Sequence, residues 1–344
     1  MSTKYVECRY ETGATPGKES GVSSSFATKT IYVPAQEFSF NPNLAVLRRD
    51  DEMRGLHEPL AFVPEEFRPS WSMRFRMYPD AFAFFVKALY GAPVTTAGDG
   101  IITDLDAVAI PAGATRHTWT APYGATGNPT TIMFRVGLSD ESLFYEVRGA
   151  TVQSLEIATP DTGGVMVTVS GLANFVDDFA DPSLTPTFES LAIEPFLKTF
   201  AGLTWVSGSA FTETISWSLT QGKDHTRTFG GASEYPDLIE FSEGVPEISF
   251  SIDKRAIDVD DWNALIAGTR FTALSKWIHS DFITGAYPFK SFIQGPSTSA
   301  AYAGGGEVSV QNRRRTPAAF TGLLSRDSAA SSVIQVVNSV AAYT

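Results

Sequence analysis

The chain has 344 residues, 43% of them hydrophobic, a single cysteine and a net charge of −12. That length builds one large core or two ordinary ones, and by length alone suggests about two domains. The composition argues against a helical membrane span, since no run approaches roughly 18 apolar residues. It also argues against an internal disulfide framework, since Cys8 has no second cysteine to pair with, and against binding nucleic acid through its phosphates, which draws on clustered Lys and Arg.

Residues 1–30 are rich in Ser, Thr, Gly and Lys and predict an extended arm. The opening MSTKYVECRYETG has no apolar h-region, so no secretory leader is expected, and the lone Cys8 is expected to fold as an inert thiol in a reducing cytoplasm. From Ile31 the pattern is β: Phe38 and Phe40 alternate with Glu37 and Ser39 until Asn41-Pro42-Asn43 breaks the run. Residues 44–67 form a charged excursion carrying Arg48, Arg49, Asp50, Asp51, Glu52 and Arg54, far longer than a tight hairpin needs.

Residues 68–91, RPSWSMRFRMYPDAFAFFVKALYG, change period midway. Trp71, Met73, Phe75 and Met77 share one face of a strand, and Ser72, Arg74 and Arg76 the other. A helix is predicted from Pro79-Asp80, with Asp80 as its N-cap and Phe82, Phe85 and Leu89 at helical spacing; Gly91 stops it. Short strands and turns follow over 92–130. Strands are predicted at 131–135 and 142–148, with a kink at Gly149-Ala150. A hairpin pairs 152–157 with 165–169 about Asp161-Thr162-Gly163-Gly164.

The acidic, proline-containing stretch 176–194 marks a boundary. Beyond it the order returns. A strand at 211–219 leads into a polar excursion at 221–243 with Lys223, Asp224, His225 and Arg227. Next, Ile248, Phe250 and Ile252 alternate with Ser249, Ser251 and Asp253, and a short helix at 258–267 ends at Gly268. We read this as an internal duplication. Further strands are predicted at 289–293, 307–311, 317–324 and 333–340, and Arg313-Arg314-Arg315 is the one concentration of positive charge, expected as a solvated strand end or a salt-bridge donor.

No catalytic pattern emerges. Ala303-Gly304-Gly305-Gly306 lacks the Lys-Ser/Thr of a phosphate-binding loop, and Ser207 lacks the flanking glycines of a nucleophile elbow. The four histidines have no metal-ligand spacing, and Asp177, Asp178, Asp181, Asp260 and Asp261 do not form a calcium loop. The expectation is a protein that is not an enzyme and has no cofactor and no metal.

Four stretches, in order, resemble the tail tube (major tail) proteins of long-tailed, siphovirus-type bacteriophages. The arm TGATPGKESGVSSSF is similar to that family's Gly-Lys-Glu-x-x-Gly opening, and PAQEFSFNPN to its first barrel strand. WSMRFRMYPDAFAFFVKALYG resembles its strand followed by a Pro-Asp helix. YEVRGATVQSLEIATPDTGGVMVTVSG resembles its Gly-Ala-x-Val strand and hairpin. The likeness spans residues 10–175, and the second half joins it through the duplication.

The resemblance implies a mainly β chain of two tandem tail-tube-type β-sandwich or barrel domains, each with a short α-helix. The parts are an N-terminal arm (1–30), a first domain (31–176), a linker region (177–200) and a second domain (201–344). It implies further that sheets of neighbouring copies join into rings, here trimers with pseudo-sixfold symmetry, and that the rings stack into a hollow virion tube assembled in the host cytoplasm. The partners would be copies of itself, a tape-measure protein and tail-end proteins; DNA would pass through without specific binding along an acidic lumen, and no membrane is involved.

On this reading Arg48, Arg49, Asp50, Asp51, Glu52, Arg54, Lys223, Asp224 and Arg227 belong to loops that reach an adjacent subunit or ring. Ser72, Arg74, Arg76, Ser249, Ser251 and Asp253 face the lumen or a neighbour. The alternatives are a distal tail or tail-terminator protein, and a β-sandwich carbohydrate-binding or hydrolytic protein.

Overall fold

In a computed structural model, residues 4–11, 31–47, 63–120, 129–138, 143–177, 194–205, 214–222, 224–228, 238–241, 247–254 and 263–343 are described, the last span with short internal gaps. The fold is mainly β, built from antiparallel sheets. In chain order the first strands are β1 (Lys4–Tyr10), β2 (Ile31–Val33), β3 (Ala35–Asn41), β4 (Leu44–Leu47), β5 (Val63–Phe67) and β6 (Ser70–Arg76), followed by α1 (Pro79–Tyr90). Then come β7 (Val94–Ala97), β8 (Thr115–Thr120), β9 (Ile132–Leu138), β10 (Leu143–Ala150), β11 (Ser154–Thr159), β12 (Met166–Leu172) and β13 (Phe175–Asp177). The remainder are β14 (Ala201–Trp205), β15 (Thr214–Gly222), β16 (His225–Thr228), β17 (Leu238–Phe241), β18 (Glu247–Lys254), β19 (Ala273–Thr284), β20 (Tyr287–Gln294), β21 (Ala300–Gly305), β22 (Val310–Gln311), β23 (Arg314–Arg315), β24 (Ala318–Leu324) and β25 (Val333–Asn338).

The largest sheet has eight strands in the order β21-β24-β18-β15-β11-β12-β6-β3. It contains one pattern twice. In the first half β3 pairs with β6, β6 with β12 and β12 with β11; in the second half β15 pairs with β18, β18 with β24 and β24 with β21. The two sets meet head to tail where β11 pairs with β15, Leu155 opposite Gln221. Behind this sheet the correspondence continues. β13-β10-β9-β1 forms four strands of a five-stranded sheet, and β25-β20-β19-β14 forms four of a six-stranded one, each centred on a hairpin.

The back sheets are not independent of the front one. β8, from the stretch read as part of a first domain, pairs with β25, and β7 pairs with β8, so the two extend the sheet otherwise made of residues beyond 200. Asp104, in the turn between β7 and β8, is buried; it accepts hydrogen bonds from Lys290 Nζ at 2.7 Å and from the Tyr287 hydroxyl at 2.6 Å.

The core lies between the front sheet and the back sheets. Trp71 on β6 packs against Phe134 on β9 with ring centroids 4.5 Å apart. Trp277 on β19 donates to Thr159 Oγ1 on β11 at 3.0 Å. α1 sits inside this core, with all of its residues buried except Asp80, Lys87 and Tyr90. A helix apolar nearly all round is stable only where packing surrounds it.

Two local expectations are corrected. The N-cap of α1 is Tyr78, extended at φ −104° and ψ 144°, with Pro79 at the first helical position. Proline forces its predecessor out of the helical region and needs no partner for a missing N–H, so the helix starts at the proline. Asp80 lies in the first turn instead and accepts from Asn338 Nδ2 at 3.0 Å. Residues 4–10, expected within the arm, are the strand β1, paired on both sides, with Val6, Cys8 and Tyr10 buried. Their alternation with Glu7 and Arg9 is a strand pattern, disguised by charged residues that read as surface although Glu7 is buried. Residues 12–30 lie outside the described set. Of the second predicted helix, residues 263 and 265–267 are helical, and the rest lies outside the described set.

Candidate functional site

Alternation gives the eight-stranded sheet two unlike faces. One carries Trp71, Met73, Phe75, Val169, Phe250 and Ile252, all buried in the core. The other is read from the strand register. One row across it runs Glu37, Arg74, Thr168, Glu156, Thr220, Ser249. A second runs Ser39, Ser72, Ser170, Ser154, and a third Arg76, Met166, Ala158, Ser218, Ser251. None of these residues is buried. At a strand spacing of about 4.8 Å the face is roughly 34 Å wide, and among the described residues nothing covers it.

Ser72, Arg74, Arg76, Ser249, Ser251 and Asp253 therefore lie on one open surface, the first three on β6 and the others on β18, with β12, β11 and β15 between. Asp253 accepts from Ser216 Oγ at 2.6 Å, which orients its carboxylate along the sheet. The surface is hydroxyl-rich. Its described ionisable groups, Glu37, Glu156, Asp253, Arg74 and Arg76, nearly balance, so the acidity expected of a lumen is not concentrated here.

The two outer strands of the sheet, β3 and β21, each pair with one strand, and among the described residues no second strand lies along their outer edges. An open edge is a template for another strand unless something blocks it. Proline and inward-pointing lysine, the usual blocks, are absent from AQEFSFN and AAYAGG.

Of the charged loop residues, Arg48, Arg49, Asp50, Asp51, Glu52, Arg54 and Lys223 lie outside the described residues. Asp224 is exposed. Arg227 on β16 is half-buried, and its guanidinium donates to the carbonyl of Pro69. Burial, and next to it the charge of Arg68, bring the Arg227 guanidinium down to about 10, with Glu66 acting the other way. With Arg68, Gln153, Leu172 and His225 it lines a cleft of about 380 Å³ at the end of the sheet where β6 begins. Reading the sequence assigned Arg227 to a charged loop that reaches an adjacent subunit or ring. Its neighbours come from three distant segments, and nothing local in the sequence points to them.

Among the described residues no group of three or more His, Cys, Asp or Glu side chains has the arrangement of a metal site, and no helix is long and apolar enough to cross a membrane. Cys8 is fully buried, and that burial raises its thiol well above the ordinary range, with the charge of Glu7 adding to it. The scan against protein-family models gives no match, and neither does the search of curated proteins.

Proposed function

We propose that this chain is a structural subunit that polymerises into the hollow tail tube of a long-tailed bacteriophage, stacked ring on ring, with DNA passing through. The observation that carries the reading is the head-to-tail order of the eight-stranded sheet. Because β11 of the first set already pairs with β15 of the second, the edges left over are of the same two kinds: β3 corresponds to β15, and β21 to β11. A second copy can repeat across those edges the junction that the chain makes within itself. Such a contact is heterologous, and successive copies close a ring when the rotation per copy divides a full turn. Three chains with two sets each would give the pseudo-sixfold ring that the sequence resemblance implies.

The internal junction also supplies a register. Met73 corresponds to Phe250, Phe38 to Leu219 and Leu155 to Tyr302 through the ladders that join them. Leu155 pairs with Gln221 and Ser154 with Gly222, so Tyr302 should face Phe40 of the next copy and Ala301 should face Asn41. The uncovered polar face then continues from copy to copy. A hydroxyl-lined, nearly neutral wall offers a polyanion no cluster of cations to hold it.

Negative-stain microscopy of the concentrated protein tests the class. Hollow tubes of uniform diameter are expected. Rings that never stack would favour a tail terminator or distal tail protein, and a monomer that binds glycans would favour the carbohydrate reading. The register is tested by the double variant Asn41→Cys with Ala301→Cys, which should give covalent multimers under mild oxidation. If the pair displaced by one residue, Asn41→Cys with Ala300→Cys, cross-links equally well, the proposed junction is wrong.

A further inference from the structure

The cleft at the end of the polar face contains more cationic than anionic charge, in a chain whose net charge is −12. Arg68 Nε donates to Glu66 Oε1 at 2.8 Å, so the one carboxylate acting on Arg227 is already engaged by another guanidinium. Arg227 is tied to the Pro69 carbonyl through Nη2, and its Nε is buried with no acceptor among the described residues. A guanidinium with a buried, unmatched N–H and a second guanidinium beside it is an arrangement that a planar oxyanion relieves, because two parallel N–H donors fit its two oxygens. The cleft is also large enough. It joins, through Gln153 and Leu172, a second hollow of about 410 Å³ lined by Ser39, Asn41, Ser70 and Ser170.

We propose that the Arg68–Arg227 cleft is a carboxylate-binding site, filled in the assembled protein by an Asp or Glu side chain of another copy of this chain. The inference rests on the assembly reading above for its source of carboxylates. Position supports that source. The cleft sits at one end of the sheet beside the bases of the β4–β5 and β16–β17 hairpins; the Arg68 N–H bonds the Asn43 carbonyl at 3.1 Å, and Arg227 itself lies on β16. In a stack of rings, an end of the sheet is where one ring meets the next. Chemistry favours a carboxylate over a nucleic-acid phosphate, since a chain with 38 acidic against 26 basic residues repels a polyanion while offering many carboxylates to its copies. A charge pair at such a contact fixes register between copies more than it adds raw affinity.

The test has two arms on the full chain. In the first, a hexaglutamate peptide is titrated into unassembled protein at low salt, with inorganic phosphate in a parallel titration. Saturable hexaglutamate binding is expected, weakened about tenfold in Arg227→Gln, which corresponds to about 1.4 kcal/mol, and only partly restored in Arg227→Lys, which keeps the charge but not the paired donors. Arg68→Gln, an exposed position that leaves the Arg227–Pro69 bond in place, should weaken it too, so a folding defect at Arg227 does not decide the outcome. Phosphate binding without hexaglutamate binding, or no binding of either, overturns the proposal. In the second arm, tubes of Arg227→Gln should come apart at a several-fold lower salt concentration than wild type, while the cysteine pair at Asn41 and Ala301 still cross-links the rings. Equal salt midpoints reject the contact between copies. If wild-type protein forms no tubes, the assembly reading falls, and the first arm still decides whether the cleft takes a carboxylate.

Discussion

The two four-stranded sets of the front sheet share their order of pairing and almost nothing else. Trp71, Met73 and Phe75 on β6 are replaced by Phe250 and Ile252 on β18 as the buried positions, and Ser72, Arg74 and Arg76 by Ser249, Ser251 and Asp253 as the open ones. The outer strand of the first set, β3, carries half-buried Phe38 and Phe40, while the outer strand of the second, β21, is a run of Ala, Tyr and Gly. Alternation, together with the positions of the turns, is enough to rebuild the same sheet from different side chains. The back of the molecule differs. There the first half sends β7 and β8 across to the second half's sheet, and among the described residues no strand makes the reverse crossing. The front is repetition and the back is interlock.

The strongest way to break this comparison is to ask whether the halves unfold separately. Phe85 is fully buried in α1, its ring 5.3 Å from that of Phe75. Phe85→Ala should cost about 3–5 kcal/mol. Because β11 and β15 make the sheet continuous and β7–β8 interlock the back, urea unfolding followed by fluorescence and by circular dichroism should shift as one transition. A second, unshifted transition would mean that the halves are independent domains and that the shared sheet adds little coupling.

The interlock itself is tested at Asp104. Burial pushes this carboxyl up, but hydrogen bonds from Lys290, Tyr287 and the Val108 N–H outweigh it, and the group ends below its ordinary value. A depressed folded pKa means stability that is fully present above the unfolded value of about 3.9 and lost as pH falls through the lower folded one. Asp104→Asn leaves the buried Lys290 without its counter-charge and should cost about 3 kcal/mol at neutral pH. It should also flatten the loss of stability in acid, measured as urea midpoint against pH below about 5. An unchanged midpoint at pH 7 would mean that the crossing strands are held by their ladder alone.

How much of this was legible in the sequence follows the same division. β6, α1 and the β11–β12 hairpin could be read because each announces itself locally, through alternation, a helix-starting proline, or a Gly-rich turn. So could the open polar face, since knowing which residues are buried on a strand tells which are not. The bulge between Val147 and Ala150 lies at the predicted Gly149-Ala150 kink. β1 was hidden because its sheet is buried on both faces. Glu7 and Arg135 sit inside it, with Arg135 Nη2 2.6 Å from Glu146, so charges that read as surface are internal. The destination of β7 and β8 depends on Val333–Asn338, more than 200 residues away, and no local pattern encodes a partner that distant. The Arg68–Arg227 cleft was illegible for the same reason, although Arg227 itself had been singled out.

The finest comparison is between the two helix stops, Gly91 and Gly268, which the sequence reads as equivalent. Both have positive φ, 84° and 60°, and at both an added Cβ would meet no atom within 4 Å. Substitution by alanine therefore tests backbone conformation alone, free of any clash. The conformations differ. Gly91 combines φ 84° with ψ −161°, a region that side chains essentially do not enter, and its N–H closes the helix on the Lys87 carbonyl at 2.7 Å. Gly268 has the smaller φ of 60°, and its N–H reaches the Leu265 carbonyl at 3.3 Å. Gly91→Ala should accordingly cost about 1–3 kcal/mol and Gly268→Ala about 1–2 kcal/mol, both read as shifts in the urea midpoint. Gly91 carries the additional load that its carbonyl accepts from Trp119 Nε1 at 3.0 Å, so strain there reaches β8 and the interlocked back sheet. Equal costs would show that the two stops are alike in energy as well as in sequence, and that the halves differ at the back only by where their strands are sent.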